Sequence, residues 1–237
     1  MKKLLLSTMA ATAFALPMTA SAAPAELDDV GLAVSYGLFS GPTLELSYPI
    51  NDELSVRGAL SSGMSGSTSQ NGTGTEPDYD ISIGGGIHRL ALDYRPFGGS
   101  FFLSGGYAIN SYKLEATATT PDSITVDVGG TEYTADGSMT LNGEVEWSNA
   151  PMLTLGWGHS PSEGWGALFE IGAIFTGAPD VNISGSGLVD DGAGGTWDVS
   201  TEPQVVAAIN EEEAKLKKDI ADFDFMPILQ AGVTYRF

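Results

Sequence analysis

The chain of 237 residues contains no cysteine, so no disulfide can hold it together. It is also short of positive charge, with 10 Lys+Arg against 30 Asp+Glu and a net charge of −20. A chain this poor in basic residues lacks the cationic face that phosphate contacts require, which excludes nucleic acid as a partner. Beyond its first residues it has no apolar run long enough for a spanning helix. Histidine occurs twice only, at His88 and His159, which leaves few candidates for imidazole chemistry.

What is present starts with Met1-Lys2-Lys3, a mostly apolar run over residues 4–16, and Ala20-Ser21-Ala22. A positive start, a short apolar centre and a small-residue site read as a cleaved signal peptide over residues 1–22. Its removal takes the net charge to −22 and leaves residues 23–237 as one domain.

The strongest pattern lies at the other end. Pro227, Leu229, Ala231, Val233, Tyr235 and Phe237 fall on one parity, and Ile228, Gln230, Gly232, Thr234 and Arg236 on the other. Period-2 alternation of this length makes a strand with one apolar face. A last strand ending on Val233, Tyr235 and Phe237 matches the signal that barrel-assembly machinery reads in outer-membrane proteins.

The same alternation recurs over residues 30–38, 43–50, 54–62, 78–94, 100–118, 144–158 and 164–176. With residues 226–237 this makes eight strands. The apolar parity switches inside 78–94, and Gly84-Gly85-Gly86 supplies a bulge or kink for it. It also slips beyond Asn110. Short turns fall at 51–53, 96–99 and 160–163, with a tight turn at 40–41. Long polar segments fall at 63–77, 119–143 and 177–224, the second with room for a hairpin across Gly129-Gly130. Connections that alternate short and long, with an even strand number, predict an all-β fold: an eight-stranded antiparallel transmembrane up-and-down β-barrel with periplasmic termini. Tyr48, Tyr94, Phe101, Trp157, Trp165, Tyr235 and Phe237 gather at the short-turn end as an interfacial girdle. Tyr36, Tyr79, Tyr112, Trp147 and Phe175 are expected toward the other end. Residues 205–223 read as a short helix in the last extracellular loop, with Glu211–Lys215 and Glu213–Lys217 as favourable four-apart pairs. Thr201 and Gln204 offer a capping box. The helix could close the barrel mouth as a lid or merely order the loop.

Several segments in order resemble the CarO-type outer-membrane proteins. They are Tyr94-Arg95-Pro96-Phe97, Gly129 to Tyr133, Pro151 to Gly158, Gly164-Trp165-Gly166 continuing through Glu170 to Val181, and Met226-Pro227. The resemblance implies an eight-stranded barrel with a largely closed lumen and a proposed role in uptake of ornithine or basic amino acids. The Tyr-Arg-Phe ending and the acid-rich last loop depart from that family.

Parity points six charges inward: Glu45, Arg57, Arg89, Asp93, Glu170 and Arg236. Charges in a lumen just wide enough for side chains must pair. The set reads either as a gate that a cationic solute opens by competing for Glu45 or Glu170, or as a permanent plug. His159-Ser160 looks like half of a hydrolase pair, but it falls at a periplasmic turn away from outer-leaflet lipid, and Glu163 follows in the same turn rather than behind the histidine; His88 has no hydroxyl at a triad spacing, and an enzyme is not expected. Asp190-Asp191-Gly192 lacks calcium-loop spacing, and neither metal nor cofactor is expected. Partners follow from location: outer-membrane lipid and lipopolysaccharide, the assembly machinery, and small cationic solutes. The two functions open to the chain are a narrow channel for such solutes and a non-conducting barrel displaying acidic extracellular loops. Phe237→Ser is expected to lower the amount of protein recovered in outer-membrane fractions, as quantified by immunoblot; unchanged levels would refute the assembly role of the last strand.

Overall fold

A computed structural model describes residues 29–72, 76–128, 130–159, 163–190 and 195–237. The expected signal peptide, Ser160 and Asp191 lie outside the described residues. The chain runs through β1 (Gly31–Gly37), β2 (Gly41–Pro49), β3 (Leu54–Ser61), β4 (Gly66–Gln70), β5 (Asp78–Gly84), β6 (Ile87–Tyr94) and β7 (Phe101–Asn110). It continues with β8 (Lys113–Thr120), β9 (Thr125–Val128), β10 (Thr131–Thr134), β11 (Met139–Glu146), β12 (Ala150–Trp157) and β13 (Gly164–Ile174). The last elements are β14 (Asp180–Ser186), β15 (Leu188–Asp190), β16 (Thr196–Asp198), α1 (Pro203–Asp219) and β17 (Met226–Arg236).

Eight of these strands close into an antiparallel barrel in the order β1-β17-β13-β12-β7-β6-β3-β2. First and last strands seal the ring, with Gly31 opposite Arg236 and Gly37 opposite Gln230. Closure leaves no open edge, which is what a sheet needs in lipid. The alternation read from the sequence sorts side chains by face. Leu44, Leu46, Leu90, Leu92, Leu153 and Ile171 are among the large apolar residues exposed on the outside, while Glu45, Arg57, Arg89 and Glu170 are buried. An apolar exterior around a polar interior is the inverse of a soluble barrel and suits a bilayer. At the short-turn end Trp165, Tyr235 and Phe237 stack in sequence, with centroids 5.1 and 5.0 Å apart. Phe97, Phe101 and Trp157 form a second stack. The expected girdle is present at that end.

The other end differs from the expectation of loops. Five neighbouring barrel strands, β3, β6, β7, β12 and β13, break at one level and continue as β4, β5, β8, β11 and β14. These form a separate sheet in the order β14-β11-β8-β5-β4. The break is a collar of close backbone contacts. The Ser111 N–H donates to the Gly86 carbonyl at 3.0 Å, and the Gly63 N–H to the Ser40 carbonyl at 3.0 Å. Gly85, at φ +123°, takes a left-handed conformation there, and a Cβ on it would collide with the Ser111 carbonyl. This is the kink expected at Gly84-Gly85-Gly86, and its result is a change of sheet.

The upper sheet has two faces. One carries Ile83, Leu114, Val145 and Val181 in a row across the strands. The other carries Lys113 with Glu115, Glu144 and Glu146 within 3.8 Å of its ammonium. The β9–β10 hairpin forms with the expected pairing, Thr131 opposite Val128. Tyr133, Ala135, Met139, Val189, Val199, Val205, Ala208 and Ile209 build a small core of their own above the barrel.

Helix α1 begins with Pro203 at its first turn and Glu202 as the N-cap, with no side-chain cap, so the capping box from Thr201 and Gln204 does not form. Proline suits that position because the N–H it lacks would be unpaired there. The two four-apart pairs do form, Lys217–Glu213 at 2.8 Å and Lys215–Glu211 at 3.7 Å. Glu213 also accepts the Ile183 N–H, tying the helix to β14. Val205, Ala208 and Ile209 pack into the upper core, so the helix orders the last long segment. Tyr79 sits on the upper sheet, and Tyr112 and Trp147 turn into the barrel mouth rather than joining an outer girdle.

Gly232 points inward at the β1–β17 seam, where a Cβ would collide with the Val34 carbonyl and the Ser35 Cα. Gly232→Val is expected to prevent closure, read as loss of the compact heat-modifiable form in gel electrophoresis; a normal gel shift would contradict this.

Candidate functional site

The lumen is filled in three layers. At the long-loop end Ile87, Ala108, Tyr112, Ala150, Met152, Ile174, Met226 and Ile228 form an apolar cluster, and Phe39, Ile83 and Trp147 pack against it. At the short-turn end Phe102 is fully buried with Ala33 and Leu168. The guanidiniums of Arg57 and Arg95 lie 5.1 and 5.6 Å from its ring centroid, a favourable placement of cation over π face. Arg95 then donates to the carbonyls of Gly99, Gly158 and His159 at 2.9, 3.2 and 2.7 Å, closing the turn end.

Between these layers lies the charge network. Arg57 is 2 % exposed and uses all of its N–H groups. Its Nη1 meets Glu45 Oε2 at 2.8 Å and Glu170 Oε2 at 2.9 Å. Its Nη2 meets Glu170 Oε1 at 2.8 Å, Asp93 Oδ1 at 3.1 Å and Ser104 Oγ at 3.2 Å. Its Nε meets Asp93 Oδ2 at 3.1 Å. Arg89 adds Glu170 at 3.0 Å and Glu45 at 3.4 Å. Gln230 joins both acids through its amide N–H groups at 2.7 Å, and its carbonyl takes Arg89 at 2.6 Å. Ser35 donates to Glu45, Thr154 to Glu170 and Ser104 to Asp93. Every barrel strand thus supplies at least one member: Ser35, Glu45, Arg57, Arg89 with Asp93, Ser104, Thr154, Glu170 and Gln230. Burying charge is tolerable only when partners replace the lost water, and these carboxylates are saturated.

Five of the six inward charges expected from parity meet here. Arg236 does not. It lies on the short-turn rim, its Nη2 3.4 Å from Asp29. Its parity is right but its height is wrong. Gln230, which does reach the network, is six residues up the same strand, roughly 20 Å at the usual strand rise. Arg95 and Phe102 were not legible as site residues. Ser35, Ser104, Thr154 and Gln230 were reachable by the same parity argument, which had considered charges alone.

His159 also joins. Its Nε2 lies 3.3 Å from Glu45 Oε2 and its Nδ1 3.3 Å from Ser47 Oγ. Serine, imidazole and carboxylate therefore stand in hydrolase order, with Ser47 rather than Ser160. The surroundings do not suit acyl chemistry. The adjoining notch holds about 10 Å³, room for roughly one water, and Ser47 Oγ packs where a Cβ of Gly31 would fall. Among the described residues no group of His, Cys, Asp and Glu has the arrangement of a metal site.

A closed barrel, apolar outside and plugged inside by a network drawn from all its strands, is the architecture of a small outer-membrane β-barrel protein. No protein-family model matches the chain, and no curated protein sequence matches it. Its structure resembles that of CarO from Acinetobacter baumannii, with a TM-score of 0.53 and 22% identity over 90% of this chain and 100% of that one. It also resembles A. baumannii CarO2, with a TM-score of 0.52 and 19% identity over 89% and 99% of the two chains. The fold expected from the resemblance is the fold observed.

Arg57→Met removes the one cation among the described residues that touches all three lumen carboxylates. Breaking a buried ion pair from one side typically costs about 3–5 kcal/mol. The variant is expected to lower the urea midpoint of the detergent-folded barrel correspondingly; a change below about 1 kcal/mol would show that the network is not a stabilising plug.

Proposed function

We propose that the protein sits in the bacterial outer membrane with its termini in the periplasm and is a non-conducting barrel in its resting state. Its working surface is then the acidic structure raised outside the cell. The observation that carries this reading is the filled lumen, in which apolar, charged and aromatic layers leave no room for a solute beside Arg57 and Phe102. The upper sheet supports it as well. Ser67, Ser82, Glu115, Thr117, Asn142, Glu144, Asn182 and Ser184 line two depressions of about 560 and 380 Å³ on its polar face. Lys113, hydrogen-bonded to Glu115 with Glu144 beside it, is held above the usual lysine pKa. This surface favours cations in its vicinity, including those that bridge anionic lipopolysaccharide.

A second reading, kinship with CarO-type proteins in uptake of ornithine or other basic amino acids, is favoured by one feature. Within the directly contacting network three carboxylates meet two guanidiniums, so a third cation has a place electrostatically. Planar-bilayer recordings with and without ornithine or lysine separate the two. The closed barrel predicts no steps above a lipid blank in either condition. Steps that appear with the amino acid, and whose cation preference changes in Glu170→Gln, would replace it with the uptake reading.

A further inference from the structure

We propose that His159 is a protonation latch at the short-turn end, locking the lumen plug and the turn-end cap together when its imidazole is charged. The residue is built into both. Its side chain reaches Glu45 Oε2, the same oxygen that takes Arg57 Nη1 at 2.8 Å. Its carbonyl accepts the Arg95 Nη2 at 2.7 Å. It is 4 % exposed and sits at φ +46°, a conformation that costs a non-glycine residue energy and that its contacts must hold in place.

The geometry accommodates both protonation states without moving the ring. Uncharged, Nε2–H donates to Glu45 and Nδ1 accepts the Ser47 hydroxyl. On protonation Nδ1–H donates to Ser47, whose hydroxyl rotates, and the Glu45 contact becomes a charge-assisted pair. The charges around the ring decide the sign. Glu45 of β2 touches it directly. Arg57 of β3 shares that carboxylate, and Asp93 of β6 and Glu170 of β13 stand beyond Arg57. Arg95, in the turn after β6, gives its hydrogen bonds to carbonyls, and Arg236 of β17 lines the same notch. In direct contact the network has one carboxylate more than it has guanidiniums, and the imidazolium supplies the missing positive charge. The notch lined by Gly31, Ser47, Gly164, Thr234, Tyr235 and Arg236 gives a proton a way to the ring from that end. Imidazole is the side chain that ordinarily changes charge between about pH 5 and 8, which sets the range of the test.

The inference uses the plug seen in the structure and does not require that the barrel be closed to solutes in the membrane. The test is therefore stability and not conductance. Urea unfolding of the detergent-folded barrel is followed by tryptophan fluorescence at pH 8 and pH 6. If the charged latch braces the fold, the unfolding equilibrium constant is expected to be smaller at pH 6 than at pH 8. His159→Gln keeps hydrogen-bonding groups but cannot gain charge, and is expected to lose that response. The chain has only one other histidine, His88, whose Nδ1 accepts the Ser61 N–H at 3.2 Å. His88→Gln is expected to keep the response, which excludes the other imidazole as its source. No response in the wild type, an undiminished response in His159→Gln, or loss of the response in His88→Gln would each overturn the latch.

Discussion

Every charge inside a closed eight-stranded barrel must find its partner inside the same barrel. The wall admits no water from the side, and the bore is only wide enough for side chains. Arg57 meets this constraint for three carboxylates at once. A guanidinium can do so because its donors are fixed in a planar fork, so that Glu45 takes Nη1, Glu170 spans Nη1 and Nη2, and Asp93 spans Nη2 and Nε. A lysine at this position would offer a single point charge and fewer directions. The remaining acceptor sites of the acids are taken by Arg89, Gln230, Ser35, Thr154, Ser104 and His159. Since these come from all eight strands and the turn after β12, the network works as a cross-brace. It links strands that are far apart around the ring, and the pairing of its carboxylates depends on the ring being closed in the right register.

Above the brace the protein changes character. Three neighbouring barrel strands, β17, β1 and β2, end at the collar, while five continue into a second sheet. The collar is built from small residues, Gly63, Gly85 and Ser111, because strands that change sheet must bring their backbones close together. Phe39, Tyr112 and Trp147 fill the mouth at this level, with Phe39 and Tyr112 edge to face at 5.7 Å. The upper part then has its own core under α1 and the hairpin. It is a folded structure on top of a barrel and not a set of long loops.

Charge is divided between the two parts in a physically consistent way. Inside, where the dielectric is low, opposite charges are interleaved and nearly balanced. On the polar face of the upper sheet Glu115 stands directly opposite Glu144, and Lys113 opposite Glu146. Like charges facing each other across strands are unfavourable, and Lys113 offsets them locally. Solvent and dissolved cations screen the rest, so an acidic excess can be carried there that the lumen could not hold.

The eight barrel strands, their alternation, the closing role of residues 226–237 and the girdle of Trp165, Tyr235 and Phe237 were legible in the sequence. A strand with lipid on one side and a polar lumen on the other must alternate, and a local period of two is visible without knowing any partner. The same rule found Glu45, Arg57, Arg89, Asp93 and Glu170. It could not find depth, since parity is identical for Gln230 and Arg236 although only Gln230 reaches the brace. Nor could it show that residues 63–77 and 177–224 contain strands, or that 119–143 holds more than its hairpin. Their apolar residues, such as Val189 and Val199, are isolated in polar sequence and acquire a core only when α1 and the hairpin assemble around them. The place of His159 was hidden for a related reason. Its partners Glu45 and Ser47 lie more than a hundred residues earlier, and only closure of the ring brings the turn after β12 beside β2. The sequence by itself determined which face each barrel residue takes, because that depends on neighbours two positions away. Tertiary structure decided which charges meet, because that depends on register and height around a closed ring.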